Sequence, residues 1–375
     1  MSPSWTLQDV DLVELDRLAS RIALILKPGD LIALSGPLGA GKTTFARALI
    51  GRLGATGEVP SPTFALVQAY DTPRFPAQHC DFYRIEPGEL AELGLEDLLD
   101  GSVAIVEWPE RAEDWLPEDR LDIAIDETAE PYRRRLVLTG RGTWQTRLER
   151  LQALAKFLDS TDYAEAGVEY LQGDASTRGY ARLKLPGRSA VLMNSPKAPD
   201  GPPIREGKPY SQLVHLAEDV TPFVAVAGAL RDRGLAAPAI YDLDLKQGFI
   251  VLEDLGDGTF QYELAKGRKM AELYGAAVDV LLAIVEEKSR ELLPIEGETT
   301  YHLPRYDADA LLAEATLLID WFWPALHGEP APNSVRESFL ALWQPLLKDA
   351  AATDQTLVLR DFHSPNLLWL PSREG

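Results

Sequence analysis

The chain has 375 residues, 46% of them hydrophobic, more than one core usually fills, so two folded domains are predicted. A formal net charge of −21 argues against a broad face that grips nucleic-acid phosphates, so any role near RNA is expected to run through protein partners, with tRNA contact indirect. One cysteine, Cys80, excludes internal disulfides and cysteine-based zinc sites; no apolar run reaches bilayer length and Met1-Ser2-Pro3-Ser4-Trp5 lacks a signal-peptide build, so the cytoplasm is the expected compartment.

From Asp9 to Leu26, Val10, Val13, Leu18, Ile22 and Ile25 share one face of a predicted helix, with Asp9 as its N-cap. Gly29-Asp30 punctuates, and the apolar run Leu31-Ile32-Ala33-Leu34 predicts a strand that delivers the chain into a glycine-rich loop and then a helix from Thr44 to Leu53. Strands are expected at Thr63 to Tyr70, Gln78 to Tyr83, Val103 to Val106, Leu121 to Ile125 and Arg133 to Leu138, with helical sequence around Leu90 to Leu99. Cys80 reads as a buried strand thiol. This alternation predicts an α/β domain over residues 1–142. Residues 143–164, with the charged helical stretch Trp144 to Leu158, are the expected linker to a second domain at 165–375. There, Tyr180 to Leu185 and Ala190 to Met193 predict a hairpin around Pro186-Gly187, and Phe249 to Leu252 another strand. Lys269 to Leu293 and Asp307 to Leu326 predict helices, an α+β order, and Pro199 to Pro209 a surface loop. Trp321-Phe322-Trp323 is expected in the core.

The loop Gly36-Pro37-Leu38-Gly39-Ala40-Gly41-Lys42-Thr43 fits G-x-x-x-x-G-K-T, in which Gly36, Gly39 and Gly41 let backbone N–H groups curl round phosphate oxygens at a helix N-terminus. In that pattern Lys42 reaches the β and γ phosphates of ATP and Thr43 holds Mg²⁺, with Ala40 and Thr44 completing the cradle. A carboxylate at the end of a buried strand must organise the metal, and Val103-Ala104-Ile105-Val106-Glu107 supplies Glu107. Asp81 serves either the attacking water or the metal shell, or it pairs with Arg84. Thr63, in Pro60-Ser61-Pro62-Thr63-Phe64, either senses the γ-phosphate or belongs to a rigid turn.

Gly36 to Thr44, Ser61-Pro62-Thr63-Phe64, Asp81-Phe82-Tyr83-Arg84 and Val106-Glu107-Trp108-Pro109-Glu110 together resemble the TsaE family of tRNA threonylcarbamoyladenosine biosynthesis ATPases, over about residues 5–140. The resemblance implies a P-loop Mg²⁺-ATPase that binds the threonylcarbamoyl transferase complex and sustains its turnover on adenosine 37 of ANN-decoding tRNAs. By it, Lys42 and Thr43 serve phosphates and metal, Glu107 the metal and Asp81 hydrolysis; Trp108 lies beside the nucleotide or covers the sheet edge.

In the second half, Leu357 to Asp361 predicts a strand, and Asp361 and Asn366 have the Asp-x-x-x-x-Asn spacing of kinase catalytic loops, Asp361 accepting the hydroxyl proton and Asn366 holding Mg²⁺. The alternative is an Asp/Asn turn with an exposed carboxylate. Leu359 stands where such loops carry histidine. With Gln172 to Arg178, expected to arch over phosphates, and Ile250 to Gly256, expected as a hinge, these residues resemble the protein-kinase-like aminoglycoside phosphotransferases. Within that group they resemble the kinases acting on the anomeric hydroxyl of N-acetylmuramate and N-acetylglucosamine in peptidoglycan recycling. Two departures stand out. Met193 occupies the position of the phosphate-pairing lysine, with Lys184, Lys197 or neither as its substitute, and no second metal-binding aspartate follows before Gly375. An incomplete, inactive kinase domain with apolar surface exposed around Leu367, Leu368 and Trp369 is therefore expected. The five histidines show no metal-ligand spacing. Two further readings are a nucleotide-switched binding module and an amino-sugar kinase with a regulatory P-loop domain.

Overall fold

The computed structural model describes residues 3–62, 65–85, 94, 98–171, 178–197, 201–205, 207–286, 290–295 and 299–373. Contacts divide the chain into two units, one of Met1–Gly173 with Tyr180–Leu192 and one of Asp174–Gly179 with Met193–Gly375.

In the first unit a strand, β1 (Ser4–Val10), precedes the first helix, α1 (Leu12–Ile25). The helix starts at a capping box: the Asp11 side chain accepts from the Val13 and Glu14 amides at 2.9 and 3.0 Å, and Glu14 accepts from the Asp11 amide at 2.9 Å. The N-cap is thus Asp11 and not Asp9, whose backbone is left-handed at φ +54°. β2 (Leu31–Ser35) leads through the glycine loop to α2 (Lys42–Arg52). Then come β3 (Val67–Tyr70), β4 (Ala77–Asp81), β5 (Val103–Glu107), β6 (Leu121–Glu127) and β7 (Arg134–Gly140). The sheet order is β1-β7-β6-β2-β5-β4-β3; β6, β2, β5 and β4 run parallel, and antiparallel strands flank them on both sides.

β5 and nearly all of β2 are buried along their whole length, because helices and loops cover both faces of the parallel strands; their sequences therefore read as unbroken apolar runs. Ile32, Leu34 and Ile105 pack on one face with Ile22 of α1 and Phe45 and Leu49 of α2. Ala33, Ala104, Val106 and Cys80 pack on the other with Phe82. Cys80 is the buried strand thiol expected of it, pushed up to about 12 by burial. The helical sequence around Leu90 to Leu99 lies largely outside the described residues, apart from Gly94, Leu98 and Leu99.

The segment expected as a linker is mostly a helix, α3 (Trp144–Asp159), and it closes the first unit. Trp144, Leu148 and Leu151 belong to the same core as Phe45 and Leu49, while Arg147 grips Asp30 with two bonds of 2.6 Å and lies 3.8 Å over the Trp144 ring. Beyond it, β8 (Gly167–Leu171) pairs antiparallel with β9 (Gly179–Leu185), Val168 opposite Leu183. The Arg74 guanidinium sits 3.9 Å over the Tyr170 ring and donates to Ala23 O and Leu26 O at the end of α1. The turn Pro186-Gly187, with Gly187 at φ +76°, then leads to β10 (Arg188–Asn194), as the sequence predicts.

In the second unit, Ile240–Asp244 and Phe249–Glu253 form an antiparallel hairpin with Leu243 opposite Ile250. The predicted helix Lys269 to Leu293 is shorter, Met270–Glu286, and Leu292–Ile295 is instead a strand paired with Thr299–His302. The surface loop expected up to Pro209 holds a small strand pair, Pro203–Arg205 with Lys208–Pro209. Asp307 caps the helix Ala308–Leu317 through a 2.9 Å bond from the Ala310 amide; a π turn, Leu318–Phe322, then breaks the predicted helix, and Trp323–His327 resumes it. The π turn interrupts the helix at the aromatic cluster: Trp321 and Phe322 are 73% and 62% exposed, against the expectation of core, while Trp323 is half-buried. Leu357 to Asp361 forms no strand, although Leu357 is buried. Leu367, Leu368 and Trp369 are half-buried rather than exposed, because Phe260 N donates to Leu367 O at 2.8 Å, Trp369 N donates to Gly258 O at 2.7 Å, and Leu367 and Trp369 pack against Phe260 and Leu273.

Trp144→Ala is expected to lower the stability of the first unit by about 3–5 kcal/mol, the cost of emptying an aromatic site in a packed core. Urea unfolding followed through the first unit checks it, and an unchanged midpoint would mean that α3 does not close this core.

Candidate functional site

At the end of β2 the backbone turns through three glycines with positive φ, Gly36 (+138°), Gly39 (+83°) and Gly41 (+112°). Gly36 is fixed by space as well as by angle, since a Cβ there would stand 2.2 Å from Ile125 O on β6. Gly41 caps α2 without a side chain, which leaves the first-turn N–H groups of a helix pointing out for an anion. Ala40 is buried, and its carbonyl accepts from Arg134 Nε at 2.8 Å, so β7 braces the loop from outside. Thr44 is half-buried in the first turn of α2.

Lys42 folds back over this loop. Its ammonium donates to Gly36 O at 2.7 Å and Pro37 O at 2.9 Å and lies 3.6 Å from the centre of the Trp108 ring. Burial pushes the ammonium below its ordinary range, opposed by the charges of Glu107, Glu110 and Asp81. Trp108 takes a left-handed backbone at φ +59°, its amide donates to Leu34 O at 3.2 Å, and its ring lies 4.8 Å from that of Tyr83. Trp108 therefore stands over Lys42 at the mouth of the loop, and it also packs against the buried cluster of Ala33, Val106 and Phe82.

Parallel register brings the acids to the same end of the sheet: Glu107 is level with Leu34 of β2 on one side and Asp81 of β4 on the other. Thr43 Oγ1 donates to Glu107 Oε2 at 3.0 Å, and His79 Nε2 lies 2.8 Å from Glu107 Oε1. Asp81 Oδ1 accepts from the Tyr83 amide at 3.0 Å and Oδ2 from Ser61 Oγ at 3.3 Å. The loop, Lys42, Thr43, Glu107, Asp81 and Trp108 thus converge, while Thr63 lies outside the described residues. The hydroxyl of Thr43 and the carboxylate of Glu107 are hard oxygen donors that suit Mg²⁺, which keeps several ligands from phosphate and water. No group of three His, Cys, Asp or Glu side chains among the described residues could hold a metal alone.

Sequence reasoning missed His79 and Arg134. His79 was discoverable: it stands two residues before Asp81 on a strand and so faces the same way. Arg134 was not, because nothing separates it from its neighbours Arg133 and Arg135.

In the second unit Asn366 Nδ2 donates to the backbone carbonyl of Asp361 at 3.1 Å and lies 3.1 Å from His363 Nε2. Asp361 and Asn366 are exposed and close, joined through main chain rather than through the Asp361 carboxylate. Arg360, at φ +56°, is anchored to Val214 O and Glu314, and Glu314 also accepts from the Tyr306 hydroxyl at 2.5 Å. Burial, with Glu314 beside it, pushes the Tyr306 phenol up to about 12. Glu253, at the end of its strand, is paired with Arg373, which holds its carboxyl below the usual range. Met193 is fully buried, and Lys184 pairs with Glu169. Residues 172–177 of the expected phosphate arch lie outside the described residues.

Comparison with known proteins also finds two parts, but the second begins at residue 167, within the stretch that contacts assign to the first unit. Residues 10–136 match the family model of the threonylcarbamoyl adenosine biosynthesis protein TsaE, and residues 167–375 that of the phosphotransferase enzyme family. The tRNA threonylcarbamoyladenosine biosynthesis protein TsaE of Rickettsia bellii is 41% identical over 114 residues, 30% of this chain and 79% of its own length. That of Streptomyces coelicolor is 43% identical over 140 residues, 34% of this chain and 93% of its own. The N-acetylmuramate/N-acetylglucosamine kinase of Caulobacter vibrioides is 35% identical over 236 residues, 60% of this chain; the chain spans 64% of that kinase's length.

Gly36→Ala should cost the first unit more than roughly 1 kcal/mol, from the positive φ and the contact with Ile125 O together. Chemical denaturation reads this, and wild-type stability would show that the loop does not lie against β6.

Proposed function

The chain belongs to the TsaE family through residues 10–136 and to the phosphotransferase enzyme family through residues 167–375, and from that premise we propose a Mg²⁺-dependent ATPase of tRNA threonylcarbamoyladenosine biosynthesis joined to an amino-sugar kinase-like domain. The ATPase occupies residues 1–142, buttressed by α3, and the kinase-like domain residues 165–375. The observation that carries the first part is the 3.0 Å bond from Thr43 to Glu107, which joins the end of the phosphate loop to the end of the neighbouring parallel strand.

The chemistry follows from what these groups do. Backbone amides of the loop and the first turn of α2 receive phosphate oxygens, and Lys42 exchanges the carbonyls of Gly36 and Pro37 for the β and γ phosphates of ATP. A bound Mg²⁺ would supply positive charge against the negative charge of the phosphates. Thr43 and Glu107 would hold it, and Asp81, oriented by Ser61 and the Tyr83 amide, would orient the attacking water. Trp108 supplies an aromatic face beside the nucleotide. Partners are the proteins of the threonylcarbamoyl transferase complex, with tRNA contact indirect on so acidic a chain; the compartment is the cytoplasm. In the second unit Asp361 and Asn366 stand at the positions of the base and the Mg²⁺ ligand of an amino-sugar kinase, whether or not the domain is active with Met193 at the place of the phosphate-pairing lysine.

In Lys42→Ala, affinity for Mg²⁺-ATP is expected to fall at least about tenfold, ~1.4 kcal/mol, because the ammonium supplies charge at the phosphates. Calorimetric titration of nucleotide into wild type and variant measures it. Equal affinities would remove the nucleotide assignment of this loop.

A further inference from the structure

His79 has no part in the chemistry above, yet it is fully buried and touches the metal-binding carboxylate. On β4 it is level with Ile105 of β5, and two residues further along both strands are Asp81 and Glu107; its imidazole therefore lies beneath Glu107, on the face of the sheet that α2 covers. The 2.8 Å contact joins Nε2 to Glu107 Oε1. A carboxylate acting as a metal ligand only accepts, and toward it the Nε2–H tautomer of His79 is the donor. Nδ1 is buried and has no hydrogen-bond partner among the described residues. An apolar side chain would fill this space without stranding a polar atom, so packing does not account for the histidine.

We propose that His79 is a positioning residue for Glu107: its Nε2–H fixes Oε1 and so holds Oε2 toward Thr43, where the metal is to be bound. This rests on the ATPase reading of the site. Glu107 is 2% exposed, and its two oxygens are divided between His79 and Thr43. Without the His79 bond the carboxylate turns about its terminal torsion, and Thr43 alone does not define its plane.

The test uses the full chain with His79→Leu, which removes the donor, and His79→Gln, whose side-chain amide reaches the same place. Calorimetry measures ATP affinity in EDTA and then across a Mg²⁺ titration, with steady-state hydrolysis alongside. His79→Leu should bind metal-free ATP within about twofold of wild type but need about tenfold more Mg²⁺, the usual cost of removing a partner that orients a metal ligand. kcat should fall while KM for ATP holds, and His79→Gln should recover most of the Mg²⁺ response. A wild-type Mg²⁺ requirement in His79→Leu overturns the proposal. So does an equal loss of metal-free and metal-dependent binding that His79→Gln leaves unrepaired, the pattern of a packing defect. A wild-type chain that fails to bind Mg²⁺-ATP is a different result, since it removes the ATPase reading together with the role given to His79.

Discussion

Glu107 is a carboxylate with 2% exposure at the end of a parallel strand, and the first unit is organised to make that burial tolerable. A buried charge is expensive unless paired and hydrogen-bonded. Both Glu107 oxygens are met, one by Thr43 and one by His79, and the Lys42 ammonium stands near enough for its charge to feel Glu107. The partners come from two elements: Thr43 and Lys42 from the first turn of α2, whose start Gly41 permits, and His79 from β4. The parallel register of β2, β5 and β4 is what brings them to one point, with α1, α2 and α3 covering one face of these strands and Phe82, Ile85, Ala112 and Leu116 the other.

This dependence explains what was legible in the sequence. Glycines at Gly36, Gly39 and Gly41 could be read because their φ values leave few other residues possible, and Leu31 to Leu34 and Val103 to Val106 because fully covered strands need no polar face. Glu107 followed from its place after such a run. The cap at Asp11 was missed by two residues because Asp9 offers the same side chain, and only the position of Glu14 three residues on decides between them. Trp144 to Leu158 read as a charged linker helix because its polar face dominates the composition, whereas Arg147 spends its charge on Asp30 inside the first unit.

The second unit shows the limits of periodicity more plainly. Trp321 and Phe322 lie on a helical repeat that continues past Leu317, but a π turn interrupts the helix there and both are exposed. Spacing alone placed Asp361 and Asn366 near one another; it did not show that Asn366 would bond the Asp361 carbonyl, or that the left-handed Arg360 would be tethered to Glu314 and Val214. Those tethers hold the backbone just before Asp361, so the carboxylate is presented to solvent by a fixed main chain.

The most direct measurement is multiple-turnover threonylcarbamoylation of an ANN-decoding tRNA by a reconstituted threonylcarbamoyl transferase complex, with this chain added as wild type or as Lys42→Ala. Sustained turnover with wild type alone is the result this account requires. Turnover that neither protein raises, or that both raise equally, would contradict it.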